Sequence, residues 1–308
     1  MTRRHSSVTR APAGGALLAS EGAFEVAAGP LTFTVHAAGP TDGRLVLLLH
    51  GFPQSAFEWR HQMAALAAAG HRAVAYDQRG YSAGARPEGV EHYRTEHLVA
   101  DVLAVADELG AHQIDLVGHD WGGVIAWLAA AAYPQRVRTL TSVATPHPAA
   151  YAATLAGGDP DQVGRSSYLE LFRREGEAEQ TLRAGGPAGL RNLFALTGHP
   201  DPESTDVYSQ LLLEQPGALT AALSWYRAVS AEDAGTQLAG PGTEVTVPTL
   251  FVWGDADIAL GRTAAEATEG HVTGPYRFEV LEGVGHWIPE EVPDRLNQLL
   301  LDHLAAHP

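Results

Sequence analysis

Residues 114–127 read IDLVGHDWGGVIAW: a strand-like run, a Gly-rich turn and a helix-like run. Asp120 stands at the tip of the turn. Gly118, Gly122 and Gly123 flank it at the spacing that lets a strained strand-to-helix turn expose one reactive side chain. A serine is the usual occupant of such a tip. A carboxylate behaves differently, because it is already ionised at pH 7 and needs no base to become a nucleophile. It is a poor reagent against an amide carbonyl. It suits a saturated carbon that carries a strained or good leaving group. Attack there leaves an ester on the protein that water can cleave, whereas a serine would leave an inert ether. The plain alternative is that Asp120 caps the helix that follows.

Three further stretches complete a possible catalytic set. LLLHGFP (47–53) is a buried-strand pattern running into a loop, and in an elbow of this kind that loop and the residue after the nucleophile supply two amides to an oxyanion. The donors would be the amides of Phe52 and Trp121; read alone, the loop is a simple Gly-Pro turn. FVWGDADIALG (251–261) offers Asp255 and Asp257 beyond a late strand. Asp257, three positions after Gly254, is favoured to orient a histidine, and Asp255 to form the turn. LEGVGHWIPEE (281–291) places His286 in a loop before the last helix. Nucleophile, acid and histidine then follow the chain order of this architecture. EHYRTEH (91–97) lacks the spacing of a zinc site, and no metal or cofactor is expected.

These residues need a frame. The 308 residues are 45% hydrophobic, enough for one large α/β unit with an insertion. Strands are expected at 31–39, 44–50, 72–77, 113–117, 136–143, 247–254 and 276–282. Helices are expected at 58–69, 95–109, 122–132 and about 291–306, with Thr95 as an N-cap. Alternation of the two implies parallel βαβ units. The division is a flexible leader (1–22), a first core part (23–146), a helical cap (147–235) and a second core part (236–308). The insertion would lie at the carboxyl end of a core strand, where open α/β sheets bind ligands. A net charge of −16 and no basic stripe argue against nucleic acid and anionic membranes. No run approaches the roughly 18 apolar residues of a membrane span. The absence of cysteine excludes disulfides and thiolate chemistry, and favours a cytoplasmic location.

HGFPQSAFEWR (50–60), YDQRGYSAGARP (76–87), GHDWGG (118–123), GDADIALG (254–261) and EGVGHWIPEEVP (282–293) together resemble the α/β-hydrolase superfamily, and within it the epoxide hydrolases. The resemblance covers about residues 24–308. It implies the α/β-hydrolase fold, with a mostly parallel sheet, helices on both faces and an inserted helical cap. It implies Asp120 as nucleophile, His286 as base and Asp257 as its partner. By their surroundings, Tyr168 in SSYLELFRREG and Tyr226 in LSWYR match the two cap tyrosines that protonate the epoxide oxygen, with Tyr151 and Tyr208 as fallbacks. Trp121, Phe52, His50, Pro53 and Trp287 are expected beside the substrate, an apolar epoxide that reacts with water. The oligomeric state is left open, a homodimer included. A haloalkane dehalogenase is the alternative: the Trp121 indole could hold a halide, but Phe52 stands where many such enzymes place Asn. A non-catalytic ligand receptor of the same fold is a third reading, disfavoured by the complete Asp-His-Asp set.

Overall fold

The computed structural model describes residues 22–186, 188–199, 201–229 and 243–308. The expected leader lies outside them except for Gly22, and so does the expected end of the insertion at residue 235.

Eight strands among the described residues form one sheet: β1 (Ala23–Ala28), β2 (Leu31–Ala38), β3 (Leu45–Leu49), β4 (Arg72–Tyr76), β5 (Ile114–His119), β6 (Val137–Val143), β7 (Thr249–Gly254) and β8 (Tyr276–Leu281). Their order is β1-β2-β4-β3-β5-β6-β7-β8. β1 and β2 form an antiparallel hairpin, β2 runs antiparallel to β4, and β4 through β8 pair in parallel. β1 was not anticipated. Its sequence, AFEVAA, is Ala-rich and weakly patterned, and it is held as an edge strand by its hairpin partner.

The central strand β3 is buried along its whole length. Its side chains alternate between two cores, as a pleated strand requires. Val46 and Leu48 join Met63 and Leu66 of α1 (Arg60–Ala68) and Leu299 and Leu300 of α12 (Pro293–Ala306). Leu47 and Leu49 join Val102 and Val105 of α2 (Thr95–Glu108) and Ile125 and Ala126 of α3 (Trp121–Ala132). Each fully buried Leu or Val contributes about 1.5–3 kcal/mol. Helix α2 buries Leu98, Val102 and Ala106 but begins at Thr95, with Arg94 in the N-cap position.

Between β6 and β7 the chain turns helical: α4 (Pro148–Ala156), α5 (Pro160–Arg165), α6 (Tyr168–Arg173), α7 (Glu177–Arg183), α8 (Ala188–Leu196), α9 (Pro202–Ser209) and α10 (Ala218–Ala228). Three of them start with the N-cap chemistry their sequences offer: His147 before Pro148, Asp159 before Pro160 and Asp201 before Pro202 each accept a backbone N–H. One buried carboxylate pins part of the insertion to the core. Glu290 in α11 (Ile288–Glu291) accepts bonds from Arg60, from Gln54 (2.9 Å) and from Tyr208 of α9 (3.0 Å). His199 Nδ1 accepts the Asp201 N–H, so its Nε2 carries the proton that faces Glu290 at 2.7 Å. Burial pushes Glu290 up, but His199 and Arg60 outweigh it and hold the carboxyl down to about 2.

The chain leaves β3 toward β4 on one side and reaches β5 on the other. The carboxyl ends of β3 and β5 therefore mark the topological switch point, where the loops diverge and a ligand crevice opens. The loop after β3 carries Phe52 and the turn after β5 carries Asp120.

Candidate active site

The turn after β5 is strained as its glycines require. Asp120 has φ 50° and ψ −120°, a conformation costly for any side chain except glycine. Although it occupies the N-cap position of α3, its side chain makes no capping bond. The carboxylate points instead at the loop after β3, where the Phe52 N–H donates to Oδ1 at 2.8 Å. Gly51 permits this approach, since a Cβ there would sit 2.6 Å from Asp120 Oδ1. Thr145 holds the turn from below by donating to the Asp120 carbonyl at 2.8 Å. A Cβ on Gly122 would overlap the backbone of Leu49 and lie 2.7 Å from the His50 oxygen. Gly122→Ala is therefore expected to destabilise the fold by about 3 kcal/mol, measured by urea unfolding.

His286 lies on the other side of the carboxylate. Its Nε2 is 3.6 Å from Asp120 Oδ2, and its Nδ1 donates to Asp257 Oδ2 at 2.8 Å. Asp257 is fully buried, and its other oxygen accepts the N–H groups of Ala259 (2.7 Å) and Leu260 (3.0 Å). Asp255, the competing acid, is turned away and accepts the Gly283 N–H at 2.7 Å. Burial opposes charge on His286, but the Asp257 charge and the bonds to Asp120 and Asp257 outweigh it and raise the imidazole to about 10. Burial likewise opposes charge on Asp120, while His286 and the Phe52 amide hold its carboxyl below the ordinary range. The resting state is thus an imidazolium between two carboxylates.

That state has a measurable signature. The folded value for His286 lies above its ordinary 6.5, so its stabilisation is complete below that pH and is lost as pH rises toward about 10. The Tm advantage of the parent over His286→Gln is expected to be greatest near about pH 6 and to shrink toward about pH 10. Thermal melts across that range check it; an advantage that grows with pH contradicts it.

Asp120 forms the floor of a cavity of about 530 Å³. Trp121, Tyr151, Tyr168 and Tyr226 line it, with apolar walls from Val124, Leu155, Leu169, Val229 and Leu260. Tyr168 and Tyr226 stand on α6 and α10, near the two ends of the insertion, with ring centroids 6.4 Å apart. Burial raises both phenols well above 10. The Asp120 charge adds to this in Tyr226, as do Tyr151 and then Asp120 in Tyr168, so both keep their protons at pH 7. Of the fallback tyrosines, Tyr151 reaches the cavity with its hydroxyl bonded to Ser166 at 2.8 Å. Tyr208 does not, because it is committed to Glu290.

Four residues expected against the substrate are placed elsewhere: none of His50, Phe52, Pro53 and Trp287 lines the cavity. His50 is buried, its Nδ1 donating to the Gly51 oxygen (2.9 Å) and its Nε2 accepting the Gln78 N–H (3.1 Å). The Phe52 ring lies behind Phe172 and Tyr226, so that residue serves the site through its amide. Pro53 is buried after a cis Phe52–Pro53 bond. Trp287 packs on His286 and on Phe194 of the insertion, and its indole donates to the Thr197 oxygen at 3.1 Å.

Sequence reasoning missed Gln162, which is fully buried in α5. It donates to the Ala259 oxygen (2.8 Å), and the Gly261 N–H donates to it (2.8 Å). It therefore ties the loop that carries Asp257 to the insertion. No motif marks it.

The pattern of a family described as the alpha/beta hydrolase fold matches residues 44–293. The chain is 36% identical over 277 residues to the AB hydrolase superfamily protein YfhM of Bacillus subtilis, covering 89% of this chain and 94% of that one. It is 31% identical to Epoxide hydrolase A of Mycobacterium tuberculosis, covering 87% and 92% of the two chains. Among solved structures, Epoxide Hydrolase A from Mycobacterium thermoresistibile superposes with a TM-score of 0.81 at 30% identity, covering 92% of this chain and 98% of that one. Fold and relatives agree: the chain belongs to the α/β-hydrolase superfamily and, within it, to the epoxide hydrolase family.

Proposed function

We propose that the protein hydrolyses an apolar epoxide to a vicinal diol through an ester on Asp120. The observation that carries this reading is the division of labour at one carboxylate. Oδ1 is held by the Phe52 amide, Oδ2 faces His286, and Asp120 lines the cavity. Oδ2 attacks an epoxide carbon, the carbon–oxygen bond breaks, and Tyr168 and Tyr226 bind the leaving oxygen, one of them giving it a proton. Asp120 is then a neutral ester. With that charge gone, His286 holds its own proton less tightly and returns one to the tyrosinate. The neutral imidazole next takes a proton from water, and the hydroxide adds to the ester carbonyl. Oδ1 becomes the oxyanion in place, against the Phe52 amide and the Trp121 amide at the N-terminus of α3. Collapse releases the diol, which takes its proton from His286, and the carboxylic acid of Asp120 passes its own proton to His286. The resting ion pair is restored, with side chains, amides and water doing each step.

One observation favours a second reading: the Trp121 indole lines the cavity, where it could bind a halide. A side-by-side assay with styrene oxide-like epoxides and 1-haloalkanes separates the two. Diol from epoxides without halide release is the expected result; halide release with no diol would establish the haloalkane dehalogenase instead.

A further inference from the structure

Beneath the reacting carboxylate lies a second chain of buried groups that the mechanism does not use. Glu58 sits in the short helical turn Ala56–Trp59, on the loop that carries Phe52, and is fully buried. Its Oε2 is 3.1 Å from Nδ1 of His119, which is also fully buried. His119 Nε2 is 3.0 Å from the backbone oxygen of His286. His119 is the residue before the nucleophile, so this chain ties the turn that carries Asp120 to the loop that carries the base.

The chemistry of the atoms fixes where the protons are. A carbonyl oxygen only accepts, so His119 Nε2 carries a proton. One more proton belongs between His119 Nδ1 and Glu58, for without it two acceptors would face each other in the core. It could rest on nitrogen, making a buried ion pair, or on Glu58, making a neutral acid and a neutral imidazole. The surroundings favour the second. The His286 ring, an imidazolium at rest, is 5.0 Å from the His119 ring and repels a second cation. Burial, then the charges of Glu290 and Asp120, push Glu58 well above the carboxylate range. Burial and His286 push His119 down to about 4. The Gly51 amide and Arg60 favour the charged form but do not outweigh burial, and Glu58 Oε1 finds no well-formed hydrogen bond among the described residues.

We propose that Glu58 is a positioning residue: a buried carboxylic acid that donates to His119 Nδ1, so that His119 is held as the tautomer that donates to the His286 carbonyl and fixes the base beside Asp120. Glu58 does for His119 what Asp257 does for His286, but with a proton instead of a charge. The gap of 3.6 Å between His286 and Asp120 has to admit a water in the second half-reaction, so the height of the His286 backbone sets that step. Epoxide opening does not depend on it.

The inference rests on the covalent reading above, and the test separates the two. Parent, Glu58→Gln and Glu58→Met are each mixed with styrene oxide, or another epoxide that the parent consumes. Alkylation and ester hydrolysis are followed separately by quenched-flow mass spectrometry. Gln can still donate to Nδ1 and Met cannot. Glu58→Met is expected to slow ester hydrolysis on the order of 10- to 100-fold, with the adduct accumulating and the alkylation rate kept, while Glu58→Gln stays within about 3-fold of the parent. Hydrolysis at the parent rate in Glu58→Met overturns the proposal, as does a Gln variant as slow as Met, which would make the charge the requirement. A parent that never forms an adduct sinks the covalent reading instead. Infrared difference spectra of parent minus Glu58→Gln decide the protonation state without substrate and without Glu58→Met. A carboxylic-acid band that shifts in heavy water supports the proposal, and carboxylate bands alone overturn it.

Discussion

His286→Gln is expected to turn the protein into one that reacts once. Burial opposes charge on Asp120 in the variant, but the Phe52 amide still holds the carboxylate, which is expected to stay reactive at pH 7 and above. The cavity and the cap tyrosines are untouched, so the first half-reaction proceeds. Glutamine fills the space of the imidazole but takes no proton from water. The ester then sits in a buried site with nothing to activate its attacker. Turnover is expected to fall by about 10³-fold or more, and the intact protein should gain the mass of one epoxide, located at Asp120 by peptide mapping. A variant that shows no adduct with any epoxide the parent consumes would mean that the first step is not alkylation of the protein.

The pair Tyr168→Phe and Tyr226→Phe is expected to block the first half-reaction. Each single change keeps the ring, and with it the edge contacts to Phe172, so the cavity keeps its shape. Only the hydroxyl is lost. One remaining phenol still donates to the leaving oxygen, so each single variant should lose about 10-fold to 100-fold in kcat/KM. Without both, the oxygen must leave as a bare alkoxide inside an apolar cavity, and the double variant should lose about 10³-fold or more with no adduct accumulating. Single-turnover kinetics checks this. A double variant that alkylates at the parent rate would remove the tyrosines from the mechanism, and would fit a substrate whose leaving group departs as a stable anion.

Much of this site is legible in the sequence because its parts are local. The elbow, the HGFP loop and the His286 loop each lie within about ten residues of the strand that positions them. The acid could be picked between Asp255 and Asp257 by spacing, and the geometry puts Asp257 on His286. What sequence could not give is side-chain direction. His50 and Phe52 share a loop, yet one points to Gln78 and the other behind the cap aromatics. Tyr151 and Tyr208 are equivalent on paper; only the fold shows that one reaches the cavity while the other is spent on Glu290. The groups that hold insertion to core are further hidden by distance along the chain, since Arg60, His199 and Glu290 meet across three separate elements. Glu58 lies within HGFPQSAFEWR, but the stretch gives it no role, and its meaning comes from a histidine 61 positions away.

The central claim is that the oxygen entering the product comes first from Asp120. A single turnover in heavy-oxygen water, with enzyme in excess over epoxide, tests it directly. The account predicts that the Asp120 peptide gains one heavy oxygen and that the diol of that turnover carries none. Heavy oxygen in the diol with an unlabelled Asp120 would mean that water attacks the epoxide directly, and would contradict the account.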